Sequence, residues 1–417
     1  MRIVFVDQQC WLWNTSGLVR YLAEQADVEL IYMADLVEFG PVWEADRSKY
    51  PNTIFEEFRA WHDGPLQSNN GYQDQCVEWK HLEERYRQHY SDPPDLIMVQ
   101  ETTFMPWGDK TIFEGVPCVF LCEDAPRGID HILRASKAMG ASDIVVPSKH
   151  WASTCSMREH RYPDTAPAGQ VSAAVNSGMF FAPEHVHVIP VCADPFWFNE
   201  PNASLATEQE KLKILWGGND SLVKEDGSHV DLTQQVRHIG ASHVQTIDSM
   251  GTPDKFTREY GEYHQRSRLI WYLFNDSEVP FEILYPPQFG ADYASTIKSS
   301  QIGWNCQGGW EASHYAESYR IWQITACGTC LVTNETDSIG DSFKIGEEVI
   351  TYKLYYHPDH HLFEWFDYQE LKNTLMELLG DENRRREIGH AAAERTRKDH
   401  LPEHRFHSIC AALEIPL

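Results

Sequence analysis

The sequence is short of positive charge. Only 35 Lys and Arg stand against 62 Asp and Glu in 417 residues, a formal net charge of −27. Broad electrostatic binding to nucleic acid needs clustered Lys and Arg, so that partner class is disfavoured and only a locally basic groove would admit it. No apolar run approaches the ~20 residues of a membrane span. The opening residues 2–7 turn polar too soon for a secretory leader. There is no internal repeat, no low-complexity segment, no full Gly-x-Gly-x-x-Gly fingerprint and no Asp-x-Asp metal motif after a strand. The 10 cysteines in a chain of this length do not read as the framework of a small disulfide-stapled domain. These absences leave a cytoplasmic protein with a solvated acidic surface.

An apolar content of 42% permits sizeable cores, and the length suits two domains of about 200 residues each. Residues 2–7 read as a buried strand, 8–17 as a loop carrying Trp11 and Trp13, 18–25 as a helix and 28–32 as a second strand. This opening is Rossmann-like, and the loop after the first strand of such a domain borders the ligand cleft. Trp11 and Trp13 therefore either stack on an acceptor or pack under the loop. Residues 38–71 read as an irregular insertion and 73–89 as a polar helix. Strands at 95–99, 117–121 and 143–146, with a helix at 130–139, imply a parallel sheet. Glu123 and Asp124 follow one of these strands directly. They lie at the carboxyl edge, where open α/β sheets bind ligands, or they form an acid-Pro turn. A polar linker at 199–209 precedes a second strand-then-glycine pattern at 212–219, which carries Gly217 and Gly218. Strands at 281–285, 300–305 and 348–352, and a helix at 293–299, complete the second half before a helical end.

The stretch from residue 315 to 334 organises this second half. Tyr315, Tyr319, Trp322 and Ala326 recur at helical spacing and make one apolar stripe, with Glu317, Arg320 and Gln323 on the other side. Gly328 stops the helix, and a short buried-type strand follows. The glycine-containing loop at 307–313 opens onto the helix N-terminus, where free N–H groups and the helix dipole favour a phosphate. Cys327 and Cys330 fit Cys-x-x-Cys but follow a helix, whereas a thioredoxin-like pair precedes one. The histidines at 357–361 form a surface loop that reads as a metal site only if they converge. Arg384, Arg385 and Arg386 read as a phosphate patch or, beside Asp381, Glu382 and Glu387, as a solvated helix face.

Arg320, Gln323, Ala326, Cys327 and Gly328 resemble the donor-binding signature of GT-B glycosyltransferases. The spacing is most similar to the spore-maturation-type branch of the group 1 glycosyl transferases. The family's Glu is Gln323 here, and its usual Pro is Cys330. The segment 187–198 resembles the family's interdomain Pro-x-x-Val-Asp-Pro element, and 367–389 its helical end. The resemblance implies an α/β GT-B fold, with two Rossmann-like parallel-sheet domains facing across a cleft. It divides the chain into an acceptor domain at 1–198, a nucleotide-sugar domain at 210–395 and a terminal helix at 396–417 crossing back to the first domain.

The function it implies is transfer of a sugar from a nucleotide-sugar, a UDP-sugar, to a hydroxyl acceptor, without a metal or other cofactor and with retention. Arg320 is then the cation at the leaving diphosphate, unless it pairs with Glu317, and Asp124 is the base if the reaction inverts. Gly217, Gly218, Glu317, Gln323, Thr325 and Gly328 line the donor, with Gln323 on the ribose. Trp11, Trp13 and Glu123 line the acceptor. Three alternatives share the fold: a phage-type glucosylation of hydroxymethylpyrimidine DNA, a sugar-nucleotide epimerase, and a non-catalytic nucleotide-sugar-binding module.

Overall fold

The structure, a computed structural model, describes residues 1–8, 12–35, 50–58, 75–100, 104–122, 136, 139–149, 152, 155–156, 181–199, 212–216, 269–270, 272–273, 276–284, 290–306, 318–336, 338–356 and 363–416. The chain divides into two compact units. The first comprises Met1–Tyr162, Ala166–Asp194 and Leu401–Leu417, and the second Pro163–Thr165 and Pro195–His400.

The first unit begins with β1 (Arg2–Gln8), α1 (Leu12–Glu24), β2 (Glu29–Asp35) and β3 (Thr53–Phe58). It continues through β4 (Gln75–Glu78), α2 (Trp79–Tyr86), β5 (Leu96–Gln100), β6 (Phe104–Trp107), β7 (Cys118–Leu121), β8 (Asp143–Val146) and β9 (Val186–Val188). Seven strands form one sheet in the order β3-β2-β1-β5-β7-β8-β9, and every pairing is parallel. Parallel strands are covered on both faces, which is why β5, β7 and β8 are buried along their whole length. The order reverses between β1 and β5, the topological switch of a doubly wound sheet.

Two sequence expectations change here. β3 is an edge strand inside the stretch expected to be irregular, and the polar helix expected at 73–89 is a strand followed by the shorter α2. Trp79, Leu82 and Tyr86 bury one side of α2. Buried Glu83 uses its carboxylate to hold the 111–113 turn, accepting from the Thr111 N–H at 2.6 Å and the Phe113 N–H at 3.0 Å.

In the second unit β10 (Leu212–Trp216), β11 (Phe281–Ile283), α3 (Gly290–Lys298), β12 (Ser300–Asn305), α4 (Tyr319–Ala326), β13 (Cys330–Asn334), α5 (Ile339–Ser342) and β14 (Ile350–Tyr352) come first. The hairpin β15 (Leu354–Tyr356) and β16 (Phe363–Phe366), then α6 (Tyr368–Gly380) and α7 (Glu382–Asp399), follow. The five-stranded sheet has the order β11-β10-β12-β13-β14, again parallel throughout. Its switch point lies between β10 and β12. The core on one face gathers Ile214, Trp216, Ile302 and Trp304 from the strands with Leu371, Leu375 and Ile388 from α6 and α7. Each such side chain contributes about 1.5–3 kcal/mol by leaving water.

The helical end is capped as its sequence directs. The Asp367 carboxylate accepts from Glu370 N–H, and that of Asp381 from Arg384 N–H, each at 2.9 Å. Arg385 departs from the solvated face expected for its run: it is buried and donates to the terminal carbonyls of Leu378 and Leu379, closing the end of α6. The last helix, α8 (Pro402–Ala412), belongs to the first unit. Phe406, Ile409 and Cys410 pack with Leu18, Val19 and Leu22 of α1. The buried Arg405 guanidinium donates twice to the Val191 carbonyl, at 3.1 and 3.0 Å.

Candidate active site

The second sheet ends its β10 strand on Trp216 and its β12 strand on Asn305, the two sides of the switch point where open α/β sheets bind ligands. Asn305 is fully buried. Its Oδ1 accepts from Arg320 Nη1 at 2.6 Å and from the Ser318 hydroxyl at 3.3 Å. Its Nδ2 donates to Thr333 Oγ1 at 2.8 Å, and its backbone carbonyl accepts from the Tyr352 hydroxyl at 2.9 Å.

Arg320, half-buried in the first turn of α4, lays its guanidinium over the Trp216 indole with the central carbon 4.1 Å from the ring centroid. That is within cation–π range. The Tyr293 phenol of α3 also hydrogen-bonds with Arg320. Burial pushes its pKa up, the guanidinium pulls it down, and the net shift is upward.

Helix α4 is held close to the sheet because Gly303 has no side chain: a Cβ there would meet Ile324 Cγ2 at 2.6 Å. Ser318 has N-cap geometry, but its hydroxyl goes to Asn305 and makes no cap bond to the helix. A cation, a buried amide and the start of a helix thus meet at one sheet edge. Such a site suits a diphosphate, whose charge a fixed guanidinium and helix N–H groups stabilise.

The other end of α4 is built differently. Gly328 takes a φ of 69°. The Gly328 N–H donates to Thr325 O at 2.9 Å and the Thr329 N–H to Ile324 O at 3.3 Å, a Schellman-type closure. A Cβ on Gly389 of α7 would lie 2.1 Å from the Gly328 carbonyl oxygen, so the two backbone segments touch there. Thr325 is fully buried. Its hydroxyl donates to the Ile321 carbonyl at 2.9 Å and accepts from Thr396 at 3.0 Å. Thr325 and Gly328 lie one to two turns beyond Arg320, towards the amino edge of the sheet, and both take part in helix packing.

Gln323, expected on the polar side of the helix, is 6% exposed, and every residue of α4 except Arg320 is buried. Trp13, expected on a loop, has its backbone within α1. Trp11, Glu123, Asp124, Gly217, Gly218, Glu317, the 307–313 loop and the 357–361 histidines lie outside the described residues.

Cys327 and Cys330 are both buried, and burial pushes each thiol up to about 12. They are packing residues, without the thiolate character of a redox pair. Among the described residues no cluster of three or more His, Cys, Asp or Glu could hold a metal ion, and no helix is long and apolar enough to cross a membrane.

Sequence reasoning singled out Arg320 and missed the groups that hold it. Asn305 is a polar residue ending an otherwise buried strand, and Trp216 immediately precedes a Gly-Gly pair. Both signals are present in the sequence, but the partnership depends on strands β10 and β12 being neighbours.

Two parallel-sheet α/β units of this kind define the GT-B fold, and comparison with known proteins bears that fold class out. Residues 283–411 match the family described as glycosyl transferase-like, in agreement with the expected enzyme class. No curated protein matches the chain. Among solved structures, HepE from Anabaena in complex with UDP and glucose is similar at 13% identity and a TM-score of 0.55, with 99% of each chain covered. A UDP-forming α,α-trehalose-phosphate synthase from Burkholderia xenovorans is similar at 11% identity and a TM-score of 0.52, again with 99% of each chain covered. An α-glucosyltransferase in complex with UDP and a 13-mer DNA containing an HMU base is similar at 12% identity and a TM-score of 0.50, with 99% of each covered. At these identities the likeness shows the fold.

Proposed function

We propose that this chain is a glycosyltransferase of the spore-maturation-type group 1 branch. It takes a sugar from a nucleotide-sugar donor, a UDP-sugar, and moves it to a hydroxyl acceptor. The observation that carries this reading is Arg320, fixed at the β10–β12 switch point against Trp216 and Asn305. Sugar transfer develops positive charge on the sugar ring and negative charge on the departing nucleoside diphosphate. A guanidinium already in position stabilises that charge without reorganising. Arg320 faces the diphosphate, Gln323 the ribose, and Gly217, Gly218 and Glu317 complete the donor site. The donor domain is 210–395. The acceptor domain is 1–198, with Trp11, Trp13 and Glu123 at the acceptor.

In this reading catalysis needs no metal, because the cation and helix N-terminus do the metal's electrostatic work. The reaction retains configuration; were it to invert, Asp124 would be the base. A reducing cytoplasmic setting agrees with the eight described cysteines, all free and buried. Complexes of UDP with HepE and with the DNA-bound glucosyltransferase make UDP-sugars the first donors to test and hydroxymethylpyrimidine DNA one acceptor to include. The net charge of −27 weighs against DNA.

Incubation with labelled UDP-glucose and other nucleotide sugars, with and without a chelator, tests the proposal. Transfer or slow donor hydrolysis that survives chelation is expected. Sugar interconversion would indicate an epimerase, and binding without turnover a non-catalytic module. Turnover abolished by chelation and restored by manganese would overturn metal independence.

A further inference from the structure

We propose that Asn305 is the positioning residue for Arg320, and that Thr333 fixes Asn305 in turn. This rests on the reading of Arg320 as the donor-site cation. An Asn side chain fits its site in two orientations that exchange the carbonyl oxygen and the amide nitrogen. Thr333, fully buried at the carboxyl end of the neighbouring strand β13, receives the Nδ2 hydrogen bond at 2.8 Å. The hydroxyl can accept or donate, so it anchors the amide in either orientation, and the donor-only Arg320 decides that Oδ1 faces it and Ser318. The reverse orientation would set the amide N–H groups against a guanidinium that carries only donors.

The 2.6 Å bond to Oδ1 then fixes one arm of the guanidinium, and the Trp216 ring 4.1 Å away fixes its plane. One direction and one plane define the position of a planar group. The rotamer entropy that an arginine on an open surface would lose on meeting a phosphate is here lost at folding. A carboxylate at 305 would accept the same bonds but would set a negative charge against the cation. A neutral amide places the charge without cancelling it, so the residue type and the network select the same role.

UDP is the probe. Calorimetric titration of the wild type, Arg320→Ala, Asn305→Ala and the double variant separates positioning from independent contributions. Arg320→Ala is expected to lower affinity about ten- to a hundredfold, as loss of a charge-assisted bond to phosphate does. Asn305→Ala should lower it about tenfold, on the order of one hydrogen bond to a charged group. The double variant should bind no more weakly than Arg320→Ala alone. Millimolar guanidinium chloride should restore part of the affinity of Arg320→Ala and none in the double variant, because Asn305 is what holds a guanidinium there.

Should Asn305→Ala fail to fold, Thr333→Val, which removes the amide's anchor, decides by the same readout with a several-fold expected loss. A folded Asn305→Ala or Thr333→Val with wild-type affinity, or losses that simply add in the double variant, overturns the positioning role and leaves the functional reading standing. A wild type that binds no UDP, or an Arg320→Ala protein that binds it fully, overturns the functional reading and this inference with it.

Discussion

Arg20 in the first unit and Arg320 in the second are both withdrawn from open solvent, and the groups seen beside them differ in kind. Arg20 Nε faces Asp194 Oδ2 at 3.6 Å, with the two side chains 7% and 1% exposed, and Arg20 Nη1 donates to the Tyr50 hydroxyl at 3.1 Å. Charge meets charge, and the result is a structural tie between α1 and the end of the 189–194 segment. Arg320 rests on an amide oxygen, a phenol and an indole face. These three groups are neutral, and on the proposed reading they place a cation for a ligand, whereas Arg20 ties two parts of the fold together.

Removing the anion of the first pair should have the largest effect. Asp194→Ala leaves a buried guanidinium facing no carboxylate at that position, which costs about 3–5 kcal/mol when a buried pair is broken. Chemical denaturation should show that loss. A change within ~0.5 kcal/mol, the range of ordinary surface substitutions, would mean that the pair is not what holds α1.

The two ends of α4 sharpen the same contrast. Gly389→Ala sets a Cβ 2.1 Å from the Gly328 carbonyl, a backbone atom that cannot swing away. Overpacking of this kind costs about 1–3 kcal/mol. The loss should appear in the melting temperature, while UDP affinity at temperatures where the variant is folded stays near wild type. If donor affinity falls with little change in stability, the packing end and the ligand end of α4 are not separate.

How far the sequence alone reaches can be followed along these elements. The strands expected at 143–146 and 300–305 coincide with β8 and β12, since apolar runs on doubly covered strands are strong signals. β3 was hidden because an edge strand is only half covered, and Thr53, Ile54, Phe55 and Glu56 are all of intermediate burial. α4 read as two-faced because periodicity counts polar residues as solvent-facing. Gly303 lets the sheet approach so closely that Gln323 is buried as well. Arg385 looked solvated among its neighbours, and only the turn between α6 and α7 brings it onto the Leu378 and Leu379 carbonyls. Arg320 was legible as a residue. Its cradle was not, because Trp216, Asn305 and Tyr293 are brought together by strand order.

The smallest effect concerns Cys327 and Cys330. Burial raises both thiols to about 12 from the ordinary cysteine value of 9.0. A raised pKa means that the neutral form is favoured in the folded state. The associated stability is present below pH 9 and is lost as pH rises from there through about 12. At pH 8 the native protein should leave both thiols unlabelled by iodoacetamide until denaturant is added. Rapid labelling of either in the native state would restore the redox reading of Cys-x-x-Cys.

The central claim is that Arg320 is the donor-site cation, and the most direct measurement is calorimetric titration of UDP into the wild type and Arg320→Ala, with melting temperatures measured alongside. The expected result is saturable binding by the wild type and a loss of about 1.5–3 kcal/mol in Arg320→Ala, with its melting temperature close to wild type. Equal affinity in the two proteins, or no UDP binding by a folded wild type, would contradict it.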